Sequence, residues 1–101
     1  MKENPTYYIR IPADVRYDEN ISLGSKMLYG EIQLLSRKAG YCWASNEFFA
    51  KLYKVHKNTI QNWITALKNY GYVRMETKQS QSGSERKIFL IPQSQKLVIG
   101  Q

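Results

Sequence analysis

Cysteine and histidine, the residues that build most catalytic and metal centres, occur once each in this chain, as Cys42 and His56. A single cysteine excludes an intramolecular disulfide and points to a reducing compartment. One Cys and one His cannot supply the ligands of a zinc site. Between Tyr41 and Trp43, Cys42 reads as a small core residue rather than a reactive thiol. His56, just ahead of a helical pattern, reads as a cap. Also missing are a Gly-rich phosphate loop, a serine nucleophile elbow and an acidic pair in an apolar setting. Nothing therefore supports an enzyme, a cofactor or a small-molecule substrate. No apolar run approaches the ~20 residues that a membrane helix needs. The start, Met1-Lys2-Glu3-Asn4-Pro5, lacks the apolar stretch of a signal peptide. A cytoplasmic protein without membrane contact is expected.

Acidic residues are also few. Eight Asp and Glu stand against fifteen Lys and Arg in 101 residues, for a net charge of +7. The excess is uneven. Residues 1–35 carry Lys2, Arg10, Arg16 and Lys26 against Glu3, Asp14, Asp18, Glu19 and Glu31. Residues 36–101 carry the other eleven cations against only Glu47, Glu76 and Glu85. A basic excess confined to one part of a small domain suits a polyanionic partner.

The hydrophobic periods predict the elements. Residues 6–11 are β-prone and stop at Pro12, so a short strand is expected, followed by a polar connection over 14–21. Ser22 is placed to cap a first helix that runs to about Lys38. Its inward stripe is read as Leu23, Met27, Ile32 and Leu35, with Leu28 and Leu34 beside them. Gly40 ends it. Tyr41-Cys42-Trp43 is a strand-like link, and Ser45 caps a second helix to Tyr53. A third helix spans Lys57 to Tyr70, with Gly71 as its stop and Ile60, Trp63, Ile64 and Leu67 facing inward. The period then changes. Residues 72–77 and 86–91 read as two strands of a hairpin, with the polar stretch 78–85 as a long tip.

The second and third helices keep the spacing of a helix-turn-helix. Phe49 and Tyr53 face inward, Ala50 sits where only a small side chain fits, and Val55 plugs the turn. Lys54 stands where glycine is common, so it needs either a costlier backbone conformation or a slightly different turn. Three helices followed by a polar hairpin define a winged helix. The fold class is thus α+β, with residues 1–92 as one domain and 93–101 as a flexible tail.

This arrangement places groups suited to DNA. The outer face of the third helix holds Lys57, Asn58, Gln61, Asn62 and Thr65, with Thr59 at its edge. Amides pair with adenine and lysine reaches guanine acceptors. Ser45, Asn46 and Lys54 are candidates for phosphate contacts near helix starts and the turn. The hairpin adds Arg74, Lys78, Gln79, Ser80, Gln81, Ser82, Ser84, Arg86 and Lys87. It holds more positive charge than the third helix, so it is expected to contribute at least as much affinity.

Ile11-Pro12, residues 23–35 and residues 40–72 together resemble the winged-helix domains of replication proteins from plasmids and phages of Gram-positive bacteria. These are the N-terminal domains of RepA-like initiators and the replisome organisers. Ala44-Ser45-Asn46, Phe49-Ala50, Thr59-Ile60, Trp63-Ile64, Leu67 and Gly71-Tyr72 carry the likeness. Those proteins continue into a further domain, so a chain of 101 residues is also similar to small accessory DNA binders of conjugative plasmids. The resemblance implies double-stranded DNA as partner, at an origin of replication or transfer. It leaves open a homodimer, which would read half-sites about one helical turn apart, and contacts to replication or transfer-complex proteins. Transcriptional repression is the nearest alternative, and a protein–protein adaptor is the alternative of another class. An adaptor would offer an apolar patch in place of amides and cations.

Overall fold

The computed structural model describes residues 7–92, so the expected tail over 93–101 and the first residue of the expected N-terminal strand lie outside the described residues. Among the described residues four helices precede one hairpin: α1 (Ala13–Arg16), α2 (Leu23–Leu35), α3 (Asn46–Tyr53), α4 (Lys57–Asn69), β1 (Val73–Ser80) and β2 (Gly83–Leu90). This is an α+β winged helix-turn-helix.

Short polar side chains set the helix starts. Oγ of Ser22 accepts from the Ser25 amide, and Oγ of Ser45 accepts from the Phe48 amide, at 3.2 and 3.1 Å. At α4 the cap is His56, whose Nδ1 accepts from the Asn58 amide at 3.1 Å. Each bond satisfies one backbone donor that the first helical turn leaves orphaned. The end of α4 closes as a Schellman motif about Gly71, at φ 83°. There the Tyr72 amide reaches the Leu67 carbonyl at 2.9 Å and the Gly71 amide the Lys68 carbonyl at 3.1 Å.

The core joins all these elements. Val15 of α1, Leu28 and Ile32 of α2, Phe49 of α3, Ile60, Ile64 and Leu67 of α4, and Ile88 of β2 are fully buried. Each such side chain stabilises the fold by about 1.5–3 kcal/mol relative to an exposed position. Cys42 is buried with them and forms a bridge to Ile88, exchanging backbone bonds of 2.8 and 2.9 Å.

Three features differ from the sequence reading. Residues 7–11 form no strand, although their composition is β-prone. Among the described residues the sheet has two strands, β1 and β2, and neither pairs with this segment. Side chains hold it instead: Ile11 packs on the core, Ile9 lies against Gly30, and the Tyr7 hydroxyl donates to Glu31. The polar connection that follows contains α1, which buries Val15.

The inward face of α2 is rotated from the expected stripe. Leu23 is 78% exposed and Met27 43%, whereas Ser25 and Glu31 are buried beside Leu28 and Ile32. Partners explain this phase, since a buried polar group is tolerated when it is hydrogen-bonded. Ser25 Oγ donates to the Trp63 carbonyl at 3.1 Å. The Glu31 carboxylate accepts from Tyr7 at 2.6 Å and from Tyr53 at 2.8 Å. The helix itself ends at Leu35, short of Lys38.

The wing has no long tip. Its strands pair continuously from Val73↔Leu90 to Ser80↔Gly83, which leaves a turn of Gln81 and Ser82. A ladder of backbone bonds needs no apolar side chain, so polar residues 78–80 and 84–85 extend it. Gly83, the first residue after the turn, takes a positive φ, and Ser80 Oγ donates to its carbonyl at 2.9 Å.

Candidate nucleic-acid interface

The helix-turn-helix is built as its spacing requires. Phe49 is fully buried and Ala50 is 8% exposed, while Val55 packs against the core from the turn. The Val55 amide reaches back to the Ala50 carbonyl at 3.1 Å, and Lys54 adopts the left-handed conformation at φ 59°, ψ 47°. That ending turns the chain into α4, whose Ile60, Ile64 and Leu67 seal the inward side. Lys57, Asn58, Gln61, Asn62 and Thr65 are exposed together on the opposite side, with Thr59 half-buried at its edge.

The period of two sorts the wing into two faces. Val73, Met75 and Thr77 of β1 share one face with Arg86, Ile88 and Leu90 of β2, and this face turns toward the body. Arg74, Glu76 and Lys78 share the other with Glu85, Lys87 and Phe89. On that outer face the cations meet carboxylates. Glu76 stands opposite Lys87 and Lys78 opposite Glu85, and Arg74 forms an ion pair with Glu76 at 2.9 Å. The Arg74 guanidinium also stacks on Phe89, and Lys87 lies over the Tyr41 ring. Gln79, Ser80, Gln81, Ser82 and Ser84 are exposed toward the turn, where the hydroxyls of Ser80 and Ser82 hydrogen-bond to each other.

Arg86 takes a different place from the other wing cations. It is half-buried and donates to Oδ1 of Asn46 and to the Ala44 carbonyl, both at 2.7 Å. Burial lowers the pKa of its guanidinium. Asn46 in turn donates from Nδ2 to Oε1 of Gln61 at 2.9 Å. The middle of the wing, the start of α3 and the outer face of α4 therefore meet through side chains. An open hollow of about 630 Å³ lies along this junction, lined in part by Trp43, Ser45, Asn46, Ser84, Arg86 and Lys87. The sequence did carry a signal for the inward arginine, because Arg86 is in phase with Ile88 and Leu90. Trp43, 55% exposed and edge-on to Phe48, belongs to the same hollow, and nothing in its sequence setting marks it for that place.

Ser45 and Lys54 remain exposed at the two ends of α3. Asp18 lies elsewhere and serves the fold: it accepts from the Tyr72 hydroxyl and the Asn20 amide. Among the described residues no group of three or more His, Cys, Asp and Glu could hold a metal ion, and no helix is long and apolar enough to cross a membrane.

A family model described as a helix-turn-helix domain matches residues 19–73, more than half of the chain. The chain belongs to the helix-turn-helix domain family. Neither a curated protein nor a solved structure matches it. The family match runs from before α2 to the first residue of β1, so the wing is known from the structure. Membership in this family, which is typically non-enzymatic, supports double-stranded DNA as the ligand of the helix-turn-helix protein. In such proteins the second helix of the motif enters the major groove; here that helix is α4.

Proposed function

We propose that this helix-turn-helix protein recognises a defined double-stranded site on a mobile genetic element, as an accessory factor at a plasmid or phage origin of replication or transfer. The observation that carries the reading is the joint presentation of the polar face of α4 and the wing. Lys57, Asn58, Gln61, Asn62 and Thr65 supply donors and acceptors for base edges, while Lys54, Lys78 and Lys87 supply charge for phosphates. The role at an origin draws on the sequence resemblance to plasmid and phage replication proteins. Repression of transcription uses the same surface and differs only in where the site lies.

Fluorescence anisotropy with labelled duplexes tiled across the host element, at several salt concentrations, tests this. One fragment is expected to bind at least about a thousandfold more tightly than unrelated duplex. That fragment is expected to lie at an origin; one that overlaps a promoter instead assigns the protein as a repressor. Equal weak binding to every fragment contradicts the site-specific reading.

One observation favours an adaptor as a second reading. A hollow of about 480 Å³ lined by Tyr7, Tyr8, Met27 and Leu52 exposes apolar surface near the N-terminal segment. Absence of duplex binding even at low salt would move the assignment there.

A further inference from the structure

Arginine donates hydrogen bonds and accepts none, and this fixes the direction of a chain of side chains that starts midway along the wing. Because Arg86 occupies Oδ1 of Asn46 at 2.7 Å, the asparagine must turn its NH₂ group toward α4. There it donates to Oε1 of Gln61 at 2.9 Å. With its oxygen so engaged, Gln61 directs Nε2 onward and donates to Oγ1 of Thr65 at 3.1 Å. Every link accepts on the wing side and donates on the far side. Without the guanidinium, either amide could turn over and exchange its oxygen and nitrogen, since the two ends are alike in shape.

We infer that Arg86 is a positioning residue for base selection, acting through Asn46 and Gln61 without touching DNA. The inference rests on the DNA-binding reading of α4 and concerns which base that surface selects. The polarity of the chain determines what remains for the groove. Gln61 keeps one N–H and one lone pair on Oε1, and Thr65 keeps its hydroxyl hydrogen, so this pair presents two donors against one acceptor. The major-groove edge of guanine offers two acceptors, N7 and O6, whereas adenine pairs an acceptor with a donor. The two donors of Gln61 and Thr65 together match the two acceptors of guanine, whereas an amide free to turn its oxygen outward suits adenine. The bond from Arg86 thus selects G·C over A·T at the base pair that Gln61 faces.

The full chain is first used to select from a library of duplexes with a randomised centre. Each base pair of the enriched duplex is then exchanged in turn between G·C and A·T. Dissociation constants are measured at several salt concentrations for the wild type, Arg86→Met and Asn46→Asp. Asn46→Asp still accepts from Arg86, so the wing stays anchored, but it cannot donate to Gln61. It keeps the test intact if Arg86→Met does not fold, and the uniform loss from its added charge cancels in the ratio of two duplexes. Both variants are expected to lose about tenfold discrimination for G·C at one base pair and to keep the other preferences. The salt slope of Arg86→Met is expected to match that of the wild type. A uniform loss on all duplexes, with the slope reduced by about 0.9, would make Arg86 an ordinary phosphate contact and overturn the inference. Unchanged preferences at every base pair in both variants would overturn it as well. Failure of the wild type to enrich any sequence is a separate result, which removes the site-specific reading on which the inference stands.

Discussion

The indole of Trp63 occupies the space that a β-carbon on Gly24 would need. Here the Trp63 side chain of α4 lies directly on the Gly24 backbone of α2, and Ser25 beside it bonds to the Trp63 carbonyl. Gly24→Ala must push the indole or the helix aside. Such overpacking costs about 1–3 kcal/mol, and each kcal/mol lowers the melting temperature of a domain this size by roughly 4–8 °C. Thermal unfolding followed by circular dichroism checks this; an unchanged midpoint would show that the contact is looser than the structure has it.

Lys54 leads to a change in the other direction. Its left-handed backbone, at φ 59°, is costly for any residue with a β-carbon, by roughly 1–2 kcal/mol. Glycine removes that strain but adds freedom to the unfolded chain, worth about 0.5–1 kcal/mol. Lys54→Gly is therefore expected to raise the unfolding free energy by up to about 1 kcal/mol. It also removes a cation from the turn, so affinity for duplex DNA is expected to fall while stability rises. Denaturant unfolding and anisotropy on the same variant separate the two effects.

Of the two alternatives at Lys54 the structure has the costlier backbone, and the position is legible because the helix-turn-helix imposes a role on each residue. Ala50, Val55 and Ile60 are small or apolar where packing demands it, and Ser22, Ser45 and Gly71 mark helix ends by local chemistry alone. Where the signal is not local, it failed. Helix α2 has large apolar residues on several sides, Leu23, Met27, Leu28, Tyr29, Leu34 and Leu35 among them, so periodicity could not fix its inward face. That face is decided by Tyr7 and Tyr53 reaching Glu31, contacts that only the fold brings together. The segment 7–11 has the composition of a strand, but a strand also needs a partner edge. In the wing, Lys78 to Ser80 look like loop residues because both sides of that part of the ladder face water. In the candidate site, the outer face of α4 was legible because its inner face was. The inward turn of Arg86 required the register of β2, which Ile88 and Leu90 supplied.

The tyrosines predict an alkaline limit to stability. The bond to Glu31, followed by burial, pushes the Tyr7 phenol up to about 12. Burial, followed by the bond to Glu31, raises Tyr53, and burial, followed by the bond to Asp18, raises Tyr72. In the unfolded chain these phenols titrate near about 10. The folded protein therefore holds more protons above that pH. The stability these bonds contribute is fully present below pH about 10 and is lost as pH rises through about 12 and beyond. Tyr53→Phe is expected to weaken the fold at neutral pH, because Glu31 loses a donor, and to flatten the alkaline decline. Denaturant midpoints measured from neutral pH to about pH 11 check both effects.

The outer face of the wing predicts how charge affects affinity. Glu76 and Glu85 stand across the ladder from Lys87 and Lys78, so part of the wing's positive field is offset. Glu76→Gln combined with Glu85→Gln is expected to tighten binding to unrelated duplex at low salt. The gain should shrink as salt rises, since exposed charges are screened within about 10 Å at 0.1 M. Anisotropy titrations of the double variant check this, and an affinity equal to the wild type would mean that DNA does not lie along this face.

The most direct test of the account is to map amide chemical shifts while a duplex is titrated into the isotopically labelled full chain. Binding through α4 and the wing predicts perturbations concentrated at Ser45 and Asn46, from Lys57 to Thr65, and from Thr77 to Lys87. Tyr7, Met27 and Leu52, around the other hollow, should keep their positions. Perturbations centred on that second group, with α4 and the wing unchanged, would contradict the assignment of this face as the DNA-binding surface.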